Sequence, residues 1–337
     1  MSLITKIQLP EFSSKIDHSK SMMFIGSCFS ENIGQRMIDL KFNVDMNPFG
    51  ILYNPESIAI SLKILLDKQI FYGYDLFQDK GMWNSFYHHS RFSDINPEAA
   101  LLKINNRIEW SHNFIKNADF LVITFGTAWI YELINSGQIV SNCHKVPAEH
   151  FDRYRLKVHE IAEAYINLLE ELWVFNPNLK VIFTVSPIRH LKDGAIENQL
   201  SKSTLLLAID RLTSKFSNRA CSYFPAYELM MDELRDYRFY AEDMVHLSPV
   251  AIEYIFDKFA KSMISSDSME ITKEVSKIRK AFEHRPINPK TAEYKNFVES
   301  NLVLIDRLGK RFSFLDFTQE KEYFEKQLAS FPDFEIE

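Results

Sequence analysis

Two short stretches of this sequence carry residue types that can do covalent chemistry. In "MMFIGSCFSENIGQRM" (residues 22–37) an apolar run ends at Gly26, and Ser27 and Cys28 follow side by side before an amphipathic pattern begins. A serine or cysteine at the mouth of a helix is a candidate nucleophile. The unpaired N–H groups and the helix dipole favour an anion there, a thiolate above all. In "YAEDMVHLSP" (residues 240–249) Asp243 and His246 stand three apart, the spacing at which two side chains share a helical turn. An aspartate so placed can hold a histidine in one tautomer and stabilise its protonated form, as in nucleophile–His–Asp catalysis. Each group also has a plainer reading. A cysteine is commonly a small buried apolar side chain, a serine before a helix is commonly a cap, and an Asp–His pair commonly sits on the surface.

The elements that would position these groups alternate in type. Met22–Ile25 reads as a strand and Ser30–Leu40 as a helix with Ser30 as its N-cap. "FLVITFG" (120–126) and "KVIFTVSP" (180–187) are continuous apolar runs of the kind buried in parallel sheets. A helix is expected from about Tyr154 to Val174, a second from Leu200 to Phe216, a short strand at Cys221–Phe224 and a helix from Pro249 to Ile264. "WIYELINSGQIVSN" reads as a hairpin turning at Asn135–Gly137. Strand and helix in alternation mean an α/β fold with a parallel sheet covered on both faces, and ligands bind at the carboxyl edge of such a sheet. The predicted strand ends there carry Ser27 and Cys28, Gly126 and Thr127, then Ser186 and Arg189. Gly50 in "NPFG" lets a backbone N–H approach a ligand closely.

The chain of 337 residues can bury a large core, and its net charge of −6 gives no reason to expect a nucleic-acid partner. No apolar run is long enough to span a membrane and no export signal is evident, so the cytoplasm is the expected location. Cys28, Cys143 and Cys221 are an odd, widely spaced set and read as thiols. Cys143–His144 and His88–His89 are adjacent pairs without the gap that lets neighbours grip one ion, so neither a metal nor another cofactor is expected.

These residues lie in strings that identify the chain as resembling the GSCFA family of the SGNH/GDSL hydrolase superfamily: "FIGSCFSENIG" (with Ser30 for the alanine of the family name), "NPFGILYNP", "GTAWIY", "NCHKVP", "TVSPIRH" and "DYRFYAEDMVH". The resemblance implies a flavodoxin-like three-layer α/β/α sandwich with a parallel five-stranded sheet, and ester hydrolysis or acyl transfer as its chemistry. Aligned on Gly26, Cys28 takes the place of the nucleophilic serine, with Asp243 and His246 completing the triad; a turn shifted by one residue would make Ser27 the nucleophile. Gly50 matches the glycine that donates an oxyanion N–H. The third block, Gly126-Thr127-Ala128-Trp129, lacks the asparagine that completes the oxyanion hole, and losing such a donor costs about 10²–10³ in rate. Thr127, or Asn142 and His144, could substitute for it, and for His89, Asn142 and His144 the resemblance implies contact with substrate, with structural hydrogen bonding as the equal alternative.

The expected organisation is an SGNH-like domain over residues 1–265, with a helical and aromatic insertion at about 57–115 forming a cap beside the site, and a helical extension over 266–337 packed on the domain. The expected partner is a small-molecule or carbohydrate acyl ester, with acetyl first among acyl groups. Two other readings stay open: a ligand-binding module on the same fold without turnover, and a metal-dependent hydrolase using Cys28, Cys143 and histidines.

Overall fold

The computed structural model describes residues 5–217 and 221–331. Its centre is a five-stranded sheet built from β1 (Ser21–Gly26), β2 (Asn43–Met46), β5 (Phe120–Phe125), β9 (Lys180–Val185) and β10 (Cys221–Tyr223). The strand order is β10-β9-β5-β1-β2, and β1 with β5, β5 with β9 and β9 with β10 run parallel. The first strand thus lies inside the sheet, and the direction of winding reverses beside it, as in flavodoxin-like folds.

The apolar strands are continuous in hydrophobicity because both faces are covered. Met23, Ile25, Leu121, Ile123, Phe125, Val181, Phe183 and Val185 pack with α2 (Pro55–Asp67), α3 (Pro97–Lys116), α4 (Val158–Phe175) and α5 (Gly194–Lys215). The alternate residues Phe24, Val122, Thr124 and Thr184 face Phe29 and Ile33 of α1 (Cys28–Asp39) and Phe259 of α7 (Pro249–Met263), and Phe224 lies beside them. A short turn α6 (Ala226–Glu228) begins the connection from β10 to α7. Three layers result, α/β/α.

Several boundaries differ from those the sequence suggests. Helix α1 starts at Cys28 rather than Ser30, because the chain turns at Gly26 and Ser27 supplies the cap. Residues Phe151–Arg155, expected partly as helix, form β8, which pairs antiparallel with β6 (Trp129–Leu133) while β7 (Ile139–Val140) pairs on the other side. The hairpin expected at Asn135–Gly137 is therefore part of a three-stranded sheet. The helical stretch after residue 57 supplies α2 and α3, which connect β2 to β5 and pack on the sheet. Only its aromatic middle departs from that layer, as the hairpin of β3 (Phe77–Asp79) and β4 (Met82–Asn84).

Compactness divides the chain into two units: residues 1–14, 20–35 and 44–263, and residues 15–19, 36–43 and 264–337. In the second, α8 (Ser266–Glu283), α9 (Ala292–Arg311) and α10 (Thr318–Ala329) bury Val275, Ile278, Val298, Ile305 and Phe324. Lys41 pairs with Glu320 at 2.7 Å, and the His18 ring stacks on Phe42 at 4.0 Å. No helix among the described residues is long and apolar enough to cross a membrane.

Within the first unit, Asp45 on β2 is fully buried, and its carboxylate is met by Arg107 of α3. Burial pushes the Asp45 carboxyl above the usual carboxylate range, against the pull of Arg107. Removing one partner of a buried pair leaves an uncompensated charge. Arg107→Ala should therefore lower stability by about 3 kcal/mol at pH 7 in urea unfolding. Because the folded pKa of Asp45 is raised, the loss should shrink as pH falls into the carboxylate range, where the group is protonated in both states.

Candidate functional site

Gly26 ends β1 with φ +139, and a Cβ built on it would stand 2.2 Å from the Thr124 carbonyl oxygen of the neighbouring β5. Only glycine permits that approach. Around it the carboxyl edge is stitched together. The Gly26 N–H donates to Asn47 Oδ1 at 2.9 Å, the Leu52 N–H donates to the Gly26 carbonyl at 2.9 Å, and Ser27 N–H to the Thr124 carbonyl at 3.3 Å. Ser30 Oγ donates to Thr124 Oγ1 at 2.6 Å from within the first turn of α1. It is buried and is not the cap.

Ser27 is 1 % exposed. Its Oγ accepts from the Phe29 N–H at 3.3 Å, and its carbonyl accepts the Ser30 N–H at 2.9 Å, so its polar atoms serve the helix start. Cys28, the first helical residue, is half-buried, and no hydrogen bond from its N–H to another residue is found among the described residues. Burial pushes the Cys28 thiol above its ordinary value. The Phe29 and Cys28 N–H groups and Lys202 pull it down, while Glu31 pushes it up.

Asp243 and His246 are brought together, but by a loop rather than a helical turn. Tyr240 and Leu247 form an antiparallel bridge, and Met244 adopts a left-handed φ of 56°. Asp243 Oδ1 accepts the N–H groups of Val245 and His246, each at 2.9 Å, and His246 Nδ1 donates to Asp243 Oδ2 at 2.6 Å. These donors hold the Asp243 carboxyl well below its ordinary range. The pair is solvent-exposed, with His246 57 % exposed, and no hydrogen bond joins it to Cys28 among the described residues.

The remaining sites expected from sequence fall into two groups. The Gly50 N–H closes a turn on the Asn47 carbonyl at 2.8 Å, and a Cβ at Gly50 would meet His89 Cβ at 2.1 Å, so this glycine admits His89 against the end of β2. His89 N–H donates to the Phe49 carbonyl at 2.8 Å. His144 Nε2 lies 2.8 Å from the Ser85 carbonyl and 3.0 Å from that of His88, and Asn142 Oδ1 accepts the His144 N–H at 2.9 Å. Gly50, His89, Asn142 and His144 thus belong to one loop cluster. Gly126 and Thr127 turn elsewhere: their N–H groups both donate to the Tyr53 carbonyl, at 2.7 and 2.9 Å, and Thr127 Oγ1 lies 3.1 Å from Ser201 Oγ on α5.

His88 is buried among Phe49, Phe71 and Phe92, hydrogen-bonds Ser85 Oγ at 2.9 Å, and is held neutral by burial, which drops it to about 3. Cys143 packs in an apolar cluster with Leu133, Val140 and Phe151. Among the described residues no three His, Cys, Asp or Glu side chains converge as a metal site would require.

The sequence profile of the GSCFA family matches residues 21–259, and that of the GSCFA domain protein, C-terminal domain, matches residues 275–330. The chain belongs to the GSCFA family. None of the curated proteins matches it. Among solved structures it is similar to the acetyl xylan esterase Est2A from the rumen bacterium Butyrivibrio proteoclasticus, at 12% identity and a TM-score of 0.37 over 75% of this chain and 64% of that one. The chain therefore spans slightly less than two thirds of Est2A. A Clostridium thermocellum family 3 carbohydrate esterase is similar at 12% identity and a TM-score of 0.35, over 75% of this chain and 97% of that one.

Two further residues beside Cys28 were not singled out from sequence. Tyr53, whose carbonyl receives Gly126 and Thr127, has its phenol pushed up by burial and by the charges of Cys28 and Glu31. Lys202 on α5 is fully buried. No sequence pattern marks either; a lysine between serines in a helix reads as solvated.

The turn at Gly26 makes a direct prediction. Gly26→Ala should destabilise the protein by at least about 2 kcal/mol, since the new Cβ meets backbone at a φ that L-residues avoid. Gly73→Ala, whose Cβ would meet nothing within 4 Å, should stay within about 0.5 kcal/mol in the same urea titration.

Proposed function

We propose that this GSCFA protein is an acyl-ester hydrolase or O-acyltransferase acting through a thioester on Cys28. The observation that carries the reading is the contrast at the end of β1. Ser27 is buried and committed to capping, whereas Cys28 stands half-buried at the N-terminus of α1 with its backbone N–H given to no other residue among those described. Asp243 and His246, already paired, supply the acid–base group.

In this reading His246 Nε2 takes the thiol proton and the sulfur bonds to the acyl carbon. The carbonyl electron pair moves to oxygen, where the Cys28 N–H donates to it. Collapse restores the carbonyl and expels the alkoxide, which takes the proton from His246. Water or an acceptor hydroxyl then attacks the thioester by the same route. His246 has to approach Cys28 for the first step. The reading takes a small acyl group, acetyl first, on a carbohydrate or a small metabolite.

A second reading has an observation of its own: the N–H groups of Gly50, Gly126 and Thr127 are all committed within the protein. An edge so short of free donors also suits a binding module without turnover.

One experiment separates them. The protein is incubated with an activated acetyl ester, quenched early and peptide-mapped. The expected result is acetyl on Cys28, absent in Cys28→Ala and strongly reduced in His246→Ala. Acetyl on Ser27 would move the nucleophile by one residue, and no adduct at all would leave the binding module. Asp243→Asn keeps an oxygen for the two backbone donors but loses the acceptor for His246 Nδ1. It should lower kcat/KM by about 10²–10⁴, with stability changed by less than about 1 kcal/mol.

A further inference from the structure

Helix α5 carries a buried amine that the triad does not use. Lys202 is 1 % exposed, and its Nζ donates to the Gly126 carbonyl at 2.8 Å and the Ser186 carbonyl at 2.7 Å. A buried ammonium is ordinarily matched by a carboxylate, yet no carboxylate pairs with Lys202 among the described residues. Its other neighbours are the Tyr227 ring, 5.5 Å from Nζ, and Arg189 beyond β9, a second cation. The protonated amine has three N–H groups and two acceptors. One donor is uncommitted.

The sheet register places that donor. Gly26 pairs with Thr124 and Thr124 with Thr184, so the segments that lead to Cys28, Gly126 and Ser186 leave the carboxyl edge from three adjacent strands, β1, β5 and β9. Nζ, held on the carbonyls that follow β5 and β9, therefore lies at the same edge at which β1, the neighbour of β5, delivers Cys28. The electrostatics agree in both directions. Lys202 pulls the Cys28 thiol down, and burial brings Lys202 down to about 7 against the upward pull of a Cys28 thiolate. The other ionisable groups facing Cys28 are Glu31 on its own helix, which Arg91 approaches to 3.8 Å, and Tyr53.

We propose that Lys202 is a catalytic residue: its positive charge stabilises the Cys28 thiolate through space, and its uncommitted N–H donates to the tetrahedral oxyanion, in the role for which the superfamily uses an asparagine. The proton of the thiol still goes to His246, and Lys202 keeps its own throughout. The oxyanion half rests on the acyl-enzyme reading above, whereas the thiolate half stands without it.

The test uses iodoacetamide, which reports the thiolate without any ester. Alkylation of Cys28, mapped by mass, is followed from pH 5.5 to 9.5 in the wild type and in Lys202→Met. The wild type should show a break near pH 7, where Lys202 loses its proton and the thiolate loses its partner. In Lys202→Met the break should vanish, and alkylation at pH 6.5 should be at least about tenfold slower, one pK unit in the thiol. An unchanged rate and profile would reduce Lys202 to a clip for Gly126 and Ser186. Should the variant fail to fold, a wild-type profile without the break overturns the proposal by itself.

The oxyanion half is read with the activated acetyl ester. Lys202→Ala should acetylate Cys28 about 10²-fold or more slowly, and propylammonium should restore the rate while trimethylpropylammonium, with the charge but no N–H, should not. Acetylation of Lys202→Met at the wild-type rate would remove Lys202 from the oxyanion site while leaving the acyl-enzyme reading intact. A Lys202-dependent alkylation profile without any acyl adduct would uphold the thiolate role and sink that reading instead.

Discussion

Where β1 meets α1, the backbone of Gly26 lies against the Thr124 carbonyl more closely than any side chain would allow, and the whole carboxyl edge is hung on that contact. It lets the Ser27 N–H reach Thr124 and the Gly26 carbonyl receive the Leu52 N–H. The Gly26 N–H in turn anchors Asn47 at the end of β2. Three strand ends are thereby joined, and the chain leaves β1 at the angle that begins α1 at Cys28. The helix N-terminus supplies N–H groups and a positive dipole end at no cost in added side chains. The Cys28 thiol sits there between burial, which pushes its pKa up, and backbone N–H groups, which pull it down.

The two basic groups associated with this edge sit in opposite environments. Lys202 is enclosed and held by two strand-end carbonyls, so burial sets its proton affinity and its position is nearly rigid. His246 is exposed on a loop whose shape Asp243 dictates through three accepted hydrogen bonds. A fixed interior charge suits the stabilisation of an anion that forms at one place. The imidazole of His246, by contrast, is open to solvent. The N–H groups of Gly50, Gly126 and Thr127 are committed within the protein.

Burial also separates histidines that look alike in sequence. His88 is sealed among phenylalanines and kept neutral, while its neighbour His89 lies over Gly50 at the end of β2. His144 ties the loop after β7 to the one after β4 through two backbone carbonyls. A cluster of imidazoles that could suggest metal chemistry is, in its contacts, mostly a brace for loops.

The central strands, the turn at Gly26 and the Asp243–His246 pair are legible in the sequence, because continuous apolar runs, a glycine before Ser-Cys and a fixed Asp–His spacing are local facts. Other features depended on partners far along the chain. Asn43–Met46 has no apolar run and is a strand only because β1 lies beside it. Phe151–Arg155 carries alternating charge and is a strand only because β6 pairs with it. Ser30, a good cap by residue type, was displaced from that role by Ser27, since Thr124 on another strand decides where the chain turns. Lys202 sits between polar residues in a helix that reads as solvated there; only the packing of α5 against the ends of β5 and β9 buries it. The sequence by itself determined the fold class and the groups that can do chemistry. Which of those groups are enclosed, which are free and which backbone donors remain was decided by tertiary structure, because desolvation and hydrogen-bond commitment depend on neighbours that no local pattern names.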